Sequence, residues 1–303
     1  EMSEISEIPA LMPYTYEEVS GCKVRGKAEL DRDYQSLINF DGLSNPRKFC
    51  GNKILYHYQM KNLLACRRGT KGWRTLEEWF STPESKEKLW QDAIKRNRRD
   101  KVPYPNATDV YECHRLNNGS IVFFKSSTAK YVYRHFNATN VLDPTAGWGG
   151  RMLGASSMGI KYTGYDTNTE MVEAYENMKS AGYSTDLQKM IWQDCLTADF
   201  STAGYDLVLT SPPYSNMEIY EHMEGWANDN AFYNDFMVPL MIKLFNEVVC
   251  PICINISPKM YQALITSYQI PECDSKIDMR QQLGQQFTTK SQDYIYIWTS
   301  HIN

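Results

Sequence analysis

The 303-residue chain has no apolar run near the roughly 18 or more residues that a membrane-spanning helix requires, which excludes a helical membrane span. Its opening residues, Glu1-Met2-Ser3, are acidic and lack the basic and apolar regions of a secretory signal. There is a single CxxC, Cys250-Pro251-Ile252-Cys253, and no second pair at a zinc-site spacing, so a structural zinc centre is not expected. That pair lies in the apolar run Val248–Ile256, where buried strand thiols are the expectation. The eight cysteines are scattered, which suits reduced thiols in a cytoplasmic or nuclear compartment. Internal repeats and low-complexity tracts are absent. So are the dinucleotide fingerprint GxGxxG and the phosphate cradle GxxxxGK[ST].

Charge is unevenly spread. The net formal charge is −4, yet residues 42–101 hold 15 Lys and Arg against 6 Asp and Glu, leaving the rest strongly acidic. Within and beside this segment, Arg67 and Arg68 and the run Lys95-Arg96-Asn97-Arg98-Arg99 are interleaved with aromatics. That pattern is expected to contact a polyanion, with Arg67, Arg68, Lys95, Arg96, Arg98 and Arg99 as the candidate nucleic-acid-binding residues. The competing role for the second cluster is a complement to the dipole at a helix C-terminus.

The pattern divides near residue 118. Before it, helices are expected at 28–40, 53–66, 75–80 (capped by Thr75) and 84–99 (capped by Thr82, with Pro83 in the first turn). After it, strands are expected at 121–124, 140–142, 161–165, 189–193, 205–209, 249–256 and 294–299. Helices intervene at 128–136, 151–158, 170–181 and 231–248, the last kinked or broken at Pro239. This alternation predicts an α/β fold with a doubly wound, mainly parallel sheet over 119–303, beside a smaller, mostly helical and basic region 1–118. Such sheets bind ligands outside the carboxyl ends of their strands.

Three strand ends are acidic there. Asp143 opens the Gly-rich turn Asp143-Pro144-Thr145-Ala146-Gly147-Trp148-Gly149-Gly150, Asp166 ends the next strand 23 residues on, and Asp194 ends the third with Cys195 beside it. Glycines let backbone approach a ligand closely. Asp166 is placed to accept from ribose hydroxyls and Asp194 from an adenine amine, while Asp143 would repel a pyrophosphate and suit a cation. A nucleoside bearing an amino group is the expected ligand.

A fourth strand end carries Thr210-Ser211-Pro212-Pro213-Tyr214. Two prolines fix φ, remove donors and leave carbonyls free to accept. An exocyclic amine is a poor nucleophile because its lone pair is delocalised into the ring. A Ser211 hydroxyl and a proline carbonyl accepting its two N–H bonds localise that lone pair, and Tyr214 stacks on a base flipped out of its helix.

These residues carry a family resemblance. Asp143–Gly150 resembles motif I of S-adenosylmethionine-dependent amino-methyltransferases, with Thr145 at the usual aromatic position and Trp148 inside the turn. Ser127-Thr128-Ala129-Lys130 resembles the segment that caps the cofactor's carboxylate, matching at Thr128 and Lys130. Ser211-Pro212-Pro213-Tyr214 resembles motif IV of the DNA amino-methyltransferases, and the motif order is similar to the γ type. The resemblance implies a seven-stranded Rossmann-like methyltransferase sheet. It implies S-adenosyl-L-methionine held by Thr128, Lys130, Asp143, Thr145, Gly147, Trp148, Gly149, Asp166, Asp194 and Cys195, and chemistry at Ser211, Pro212, Pro213 and Tyr214. The implied target is an amine in double-stranded DNA. Serine at the first position leans toward cytosine-N4 over adenine-N6. An RNA base methyltransferase of the guanine-N2 type, or a non-catalytic nucleic-acid-binding subunit, is the alternative. Residues 215–226, with Tyr220, His222 and Trp226, would close over the base. Ser257-Pro258-Lys259 ends a further strand at the same face, with Lys259 against a phosphate or solvent.

Overall fold

The structure, a computed structural model, describes residues 8–44, 49–66, 74–96, 104–117, 121–213, 226, 228–279 and 294–302. Its centre is a sheet of β1 (Asn140–Asp143), β2 (Lys161–Tyr165), β3 (Gln188–Ile191), β4 (Leu207–Thr210), β5 (Ile252–Ile256), β6 (Ser275–Asp278) and β7 (Tyr294–Trp298). The order is β3-β2-β1-β4-β5-β7-β6. All neighbours from β3 to β5 pair in parallel, while β7 runs antiparallel to both β5 and β6. The fold is therefore the doubly wound, mainly parallel α/β sheet expected from the sequence. The order reverses between β1 and β4, the switch point outside whose carboxyl ends such sheets bind ligands.

Side-chain alternation builds the two apolar layers. On β4, Leu207 and Leu209 face one core while Val208 faces the other. On β7, Ile295 and Ile297 enter the first, and Tyr294, Tyr296 and Trp298 the second. Strands so buried on both faces read as continuous apolar runs, which is why most were visible in the sequence.

The helices are α1 (Tyr16–Ser20), α2 (Lys27–Asn39), α3 (Asn52–Ala65), α4 (Leu76–Phe80), α5 (Pro83–Arg96), α6 (Ala107–Asn117), α7 (Ser126–His135), α8 (Gly150–Ser156), α9 (Val172–Ser180), α10 (Asp229–Phe232), α11 (Val238–Glu247) and α12 (Pro258–Ser267). Thr75 caps α4 in a capping box with Glu78, and the Thr82 hydroxyl accepts from the Ser85 N–H at the start of α5. Leu30 and Leu37 of α2 and Ile54 and Leu55 of α3 are buried with Leu153 of α8, Tyr162 of β2 and Met178 of α9 in one continuous cluster. The N-terminal helices thus share one apolar cluster with α8 and α9, α3 packing on α9.

Two local expectations are corrected. Ile121–Phe124 forms no strand; it is an extended segment leading into α7, and the seventh strand is β6 instead. The helix around Pro239 is interrupted before the proline, by a π-helical turn over Tyr233–Met237. Proline has no N–H to donate and its ring crowds the carbonyl four residues back, so the widened turn precedes it. Ser257-Pro258-Lys259 follows the end of β5 as expected, with Ser257 capping α12 and Lys259 exposed.

Candidate functional site

A cleft of about 340 Å³ lies at the switch point. Its lining joins the turn after β1 (Pro144 to Trp148), the ends of β2 and β3 (Tyr165-Asp166 and Asp194-Cys195), and Ser211-Pro212-Pro213 after β4. Residues separated by up to about a hundred positions in the chain meet here because parallel strands all end on the same side.

The turn after β1 is held open by fixed backbone geometry. Gly147 and Gly149 have φ of +60° and +95°, a region costly for side chains. The Gly147 N–H donates to Asp166 Oδ2 at 2.8 Å, and the Gly147 carbonyl accepts from Tyr175 at 2.7 Å. Asp166 Oδ1 takes the Asn168 N–H, also at 2.8 Å. Burial raises the Asp166 carboxyl above its ordinary range, the backbone donors opposing only in part. Asp194 is exposed and accepts from the Leu196 N–H at 2.9 Å, while burial pushes the adjacent Cys195 thiol up to about 12. Trp148 lines the cleft and packs on Phe123 with ring centroids 5.2 Å apart, and its carbonyl accepts from the buried Gln59 of α3.

Asp143 plays a different part from the one expected. It is fully buried, and Arg151 Nε donates to it at 2.7 Å, Tyr162 at 2.6 Å and the Thr210 hydroxyl at 2.8 Å. With its oxygens engaged by protein donors, it fastens the turn rather than facing a ligand. Thr145, at the usual aromatic position, joins the same network through a 2.6 Å contact with the Thr210 hydroxyl. Thr210 thus couples the turn after β1 to the residue preceding Ser211. The sequence pattern assigns no role to Arg151 and none to Thr210 beyond its place at the strand end. The spacing Asp143 to Arg151 across a Gly-rich turn is the signal that could have found the pair.

Lys130 is also corrected. It is buried, and its ammonium donates at 2.8 Å to the carbonyls of both Leu37 and Ile38, so it closes the C-terminus of α2. Thr128 sits buried in the first turn of α7, outside the cleft lining, and Gly149 is likewise behind it. The cleft wall expected from Thr128 and Lys130 is supplied instead by Val122 and Phe124 of the extended segment.

At the other end, the Ser211 hydroxyl reaches the carbonyl and Oδ1 of Asn255 on β5 at 3.4 and 3.5 Å. A hydroxyl that donates there keeps its lone pairs as acceptors. Trp226 packs on Phe232 and Phe236, at 4.8 and 5.5 Å between centroids, and with Asp235 and Phe236 of the π turn it walls this end. Single π turns recur at functional sites. Tyr214, Tyr220 and His222 lie outside the described residues, as do Arg67, Arg68, Arg98 and Arg99. Lys95 and Arg96 are exposed in the last turn of α5. Cys250 and Cys253 are buried, as expected of strand thiols, and the described residues contain no group of metal-ligating side chains and no helix long and apolar enough to cross a membrane.

No family model and no curated protein matches the chain. Among solved structures, it is similar to an RNA methyltransferase from Salinibacter ruber in complex with S-adenosyl-L-homocysteine, at 17% identity over 58% of this chain and 92% of that one, with a TM-score of 0.37. It is also similar to a predicted N6-adenine-specific DNA methylase from Listeria monocytogenes, at 15% identity over 61% of this chain and 53% of that one, TM-score 0.42. An rRNA methylase from Streptococcus thermophilus aligns at 11% identity over 59% and 97%, TM-score 0.38. Likeness at this level bears on neither the substrate nor the chemistry of this chain, whose site is characterised by its own cleft.

Proposed function

We propose that the chain transfers a methyl group from S-adenosyl-L-methionine to an exocyclic amino group of a base in DNA, with cytosine-N4 ahead of adenine-N6. One observation carries this reading: Ser211-Pro212-Pro213 and the acidic strand ends Asp166 and Asp194 open onto one cleft at the switch point.

The cleft fits such a cofactor by its donor set. Asp166 accepts from ribose hydroxyls at the end of β2, Asp194 accepts from an adenine amine at the end of β3, and Gly147 lets backbone pass close to the ligand. Gly150 and Gly164 leave no room even for a methyl group: a Cβ at Gly150 would stand 1.8 Å from the Phe124 carbonyl, and one at Gly164 would meet Ala146 at 2.9 Å. When bound, the cofactor supplies a methyl group on a positively charged sulfur. The Ser211 hydroxyl oxygen and the Pro212 carbonyl accept the two N–H bonds of the target amine and localise its lone pair. The aromatic wall of Trp226 and Phe236, together with Tyr214, takes the flipped base. Rate then comes mainly from holding the amine in line with the methyl group, and no residue of strongly shifted pKa is needed.

Residues 1–118 are proposed as the recognition region, with the basic residues Arg67, Arg68, Lys95, Arg96, Arg98 and Arg99 on phosphates of double-stranded DNA. The test is transfer of tritium from labelled cofactor to double-stranded DNA, single-stranded DNA and RNA, with mass spectrometry of the product nucleosides. Methylcytosine in DNA is the expected product. Label confined to RNA would overturn the DNA reading in favour of an RNA base methyltransferase. Cofactor binding without transfer to any of the three would favour a non-catalytic subunit.

A further inference from the structure

With Lys130 turned to the end of α2, no lysine lines the described part of the cleft, and Arg151 is the one cation among its described lining residues. Its surroundings there are acidic: Asp166, Asp194 and Asp235 share the lining. Arg151 follows the Gly-rich turn as the second residue of α8, and its guanidinium lies over the Phe124 ring, 4.9 Å from the centroid. Nε donates to Asp143, and Nη2 donates to the carbonyls of Thr145 and Ala146. A guanidinium has five N–H donors in a fixed fork. The two on Nη1 find no acceptor among the described residues.

A buried pair such as Arg151–Asp143, at 4% and 0% side-chain exposure, is a weak source of stability, because desolvating both charges offsets most of their attraction. Apolar side chains would fill the same space without that cost. A cation kept at a cleft wall with donors unclaimed has a ligand's chemistry. We propose that Arg151 binds the carboxylate of the cofactor's amino-acid part, the role that the sequence had suggested for Thr128 and Lys130. This rests on the cofactor assignment above. It makes Asp143 the group that aims the guanidinium, with Phe124 stacked against its face.

The experiment is calorimetric binding of two ligands to the full chain: S-adenosylhomocysteine and its decarboxylated analogue, which keeps the adenosine, thioether and amine. The wild-type chain should prefer the carboxylate form by roughly 10- to 100-fold, the range for a hydrogen bond to a charged group. In Arg151→Met that preference should collapse through loss of affinity for S-adenosylhomocysteine, with the analogue bound as before. Lys130→Met should retain the preference. A purely structural Arg151 would weaken both ligands equally in Arg151→Met and leave their ratio intact, which overturns the proposal. Should Arg151→Met fail to fold, the wild-type ratio and Lys130→Met decide: no wild-type preference, or its disappearance in Lys130→Met, removes the assignment. Binding of neither ligand removes the cofactor reading itself, an outcome distinct from equal binding of both.

Discussion

Ser211 and Asp166 line one cleft from the ends of different strands and are proposed to meet different ligands, so their substitutions should separate. Replacing Ser211 with Ala removes one acceptor for the amine but leaves the cofactor's partners in place. Turnover should fall roughly 10- to 1,000-fold, comparable to loss of one aligned hydrogen-bonding group in other active sites, with affinity for S-adenosylhomocysteine unchanged. A parallel loss of cofactor affinity would move Ser211 out of the proposed role. For Asp166, burial raises the folded-state pKa, so the carboxylate takes up its proton at a higher pH than an exposed aspartate would. Ligand affinity should be flat near neutrality and fall as pH drops through that raised value, since the neutral acid is the poorer acceptor. Asp166→Asn should bind weakly and without this acid limb when titrated across pH by calorimetry. Asp166, Asp194 and Ser211 follow strand ends, and they line the cleft where their places in the sequence put them. Those misread have long-range protein partners: nothing near Lys130 in the chain announces the carbonyls of Leu37 and Ile38. Asp143 looked like its two acidic counterparts until Arg151, Tyr162 and Thr210 were seen closing around it.

Elements obey the same distinction. The central strands β4 and β5 were legible because burial on both faces demands apolar runs, as in Leu207–Thr210. Edge strand β6, Ser275–Asp278, carries polar residues and is only partly buried, so it offered no such run. Ile121–Phe124 has a strand's composition but belongs to no strand among the described residues, and Val122 and Phe124 line the cleft instead. The junction of β6 and β7 gives an acid-stability prediction. Asp274 accepts from the hydroxyl of Ser300 and the backbone N–H groups of Thr299 and Ser300, and these bonds, led by the Ser300 hydroxyl, hold its carboxyl well below the ordinary value of 3.8. A carboxyl lowered in the folded state contributes stability in full above its unfolded value, and that contribution disappears as pH falls through the lowered one. Asp274→Asn should therefore lower the Tm at pH 7 while reducing the difference from wild type in strong acid. An equal Tm deficit at both pH values would show that the charge is irrelevant. At the turn after β1, Gly150→Ala places its methyl group against the Phe124 carbonyl and should displace the extended segment. The expected cost is at least about 1–3 kcal/mol in chemical denaturation, as for other overpacked sites.

Across the whole molecule, a basic stretch on an acidic body predicts a binding mode governed by salt. Arg96, Arg98 and Arg99 changed together to Ala should weaken DNA binding and flatten the dependence of log affinity on log salt by about 0.9 for each phosphate no longer neutralised. An unaltered slope would identify that run as a solvated helix end. The continuous apolar cluster carries a consequence of another kind. Leu30, Leu37, Ile54 and Leu55 cover α8, β2 and α9 from a part of the chain that sequence pattern alone sets apart. Severing the chain after residue 118 would bare that surface to water and take from α3 the Gln59 amide that secures the Trp148 carbonyl. The fragment 119–303, although it contains every described strand, should be recovered as aggregate, and supplying residues 1–118 in trans during refolding should restore solubility. The N-terminal region is in this sense part of the scaffold, and its freedom to vary is confined to the surfaces that α2 and α3 leave outside that cluster.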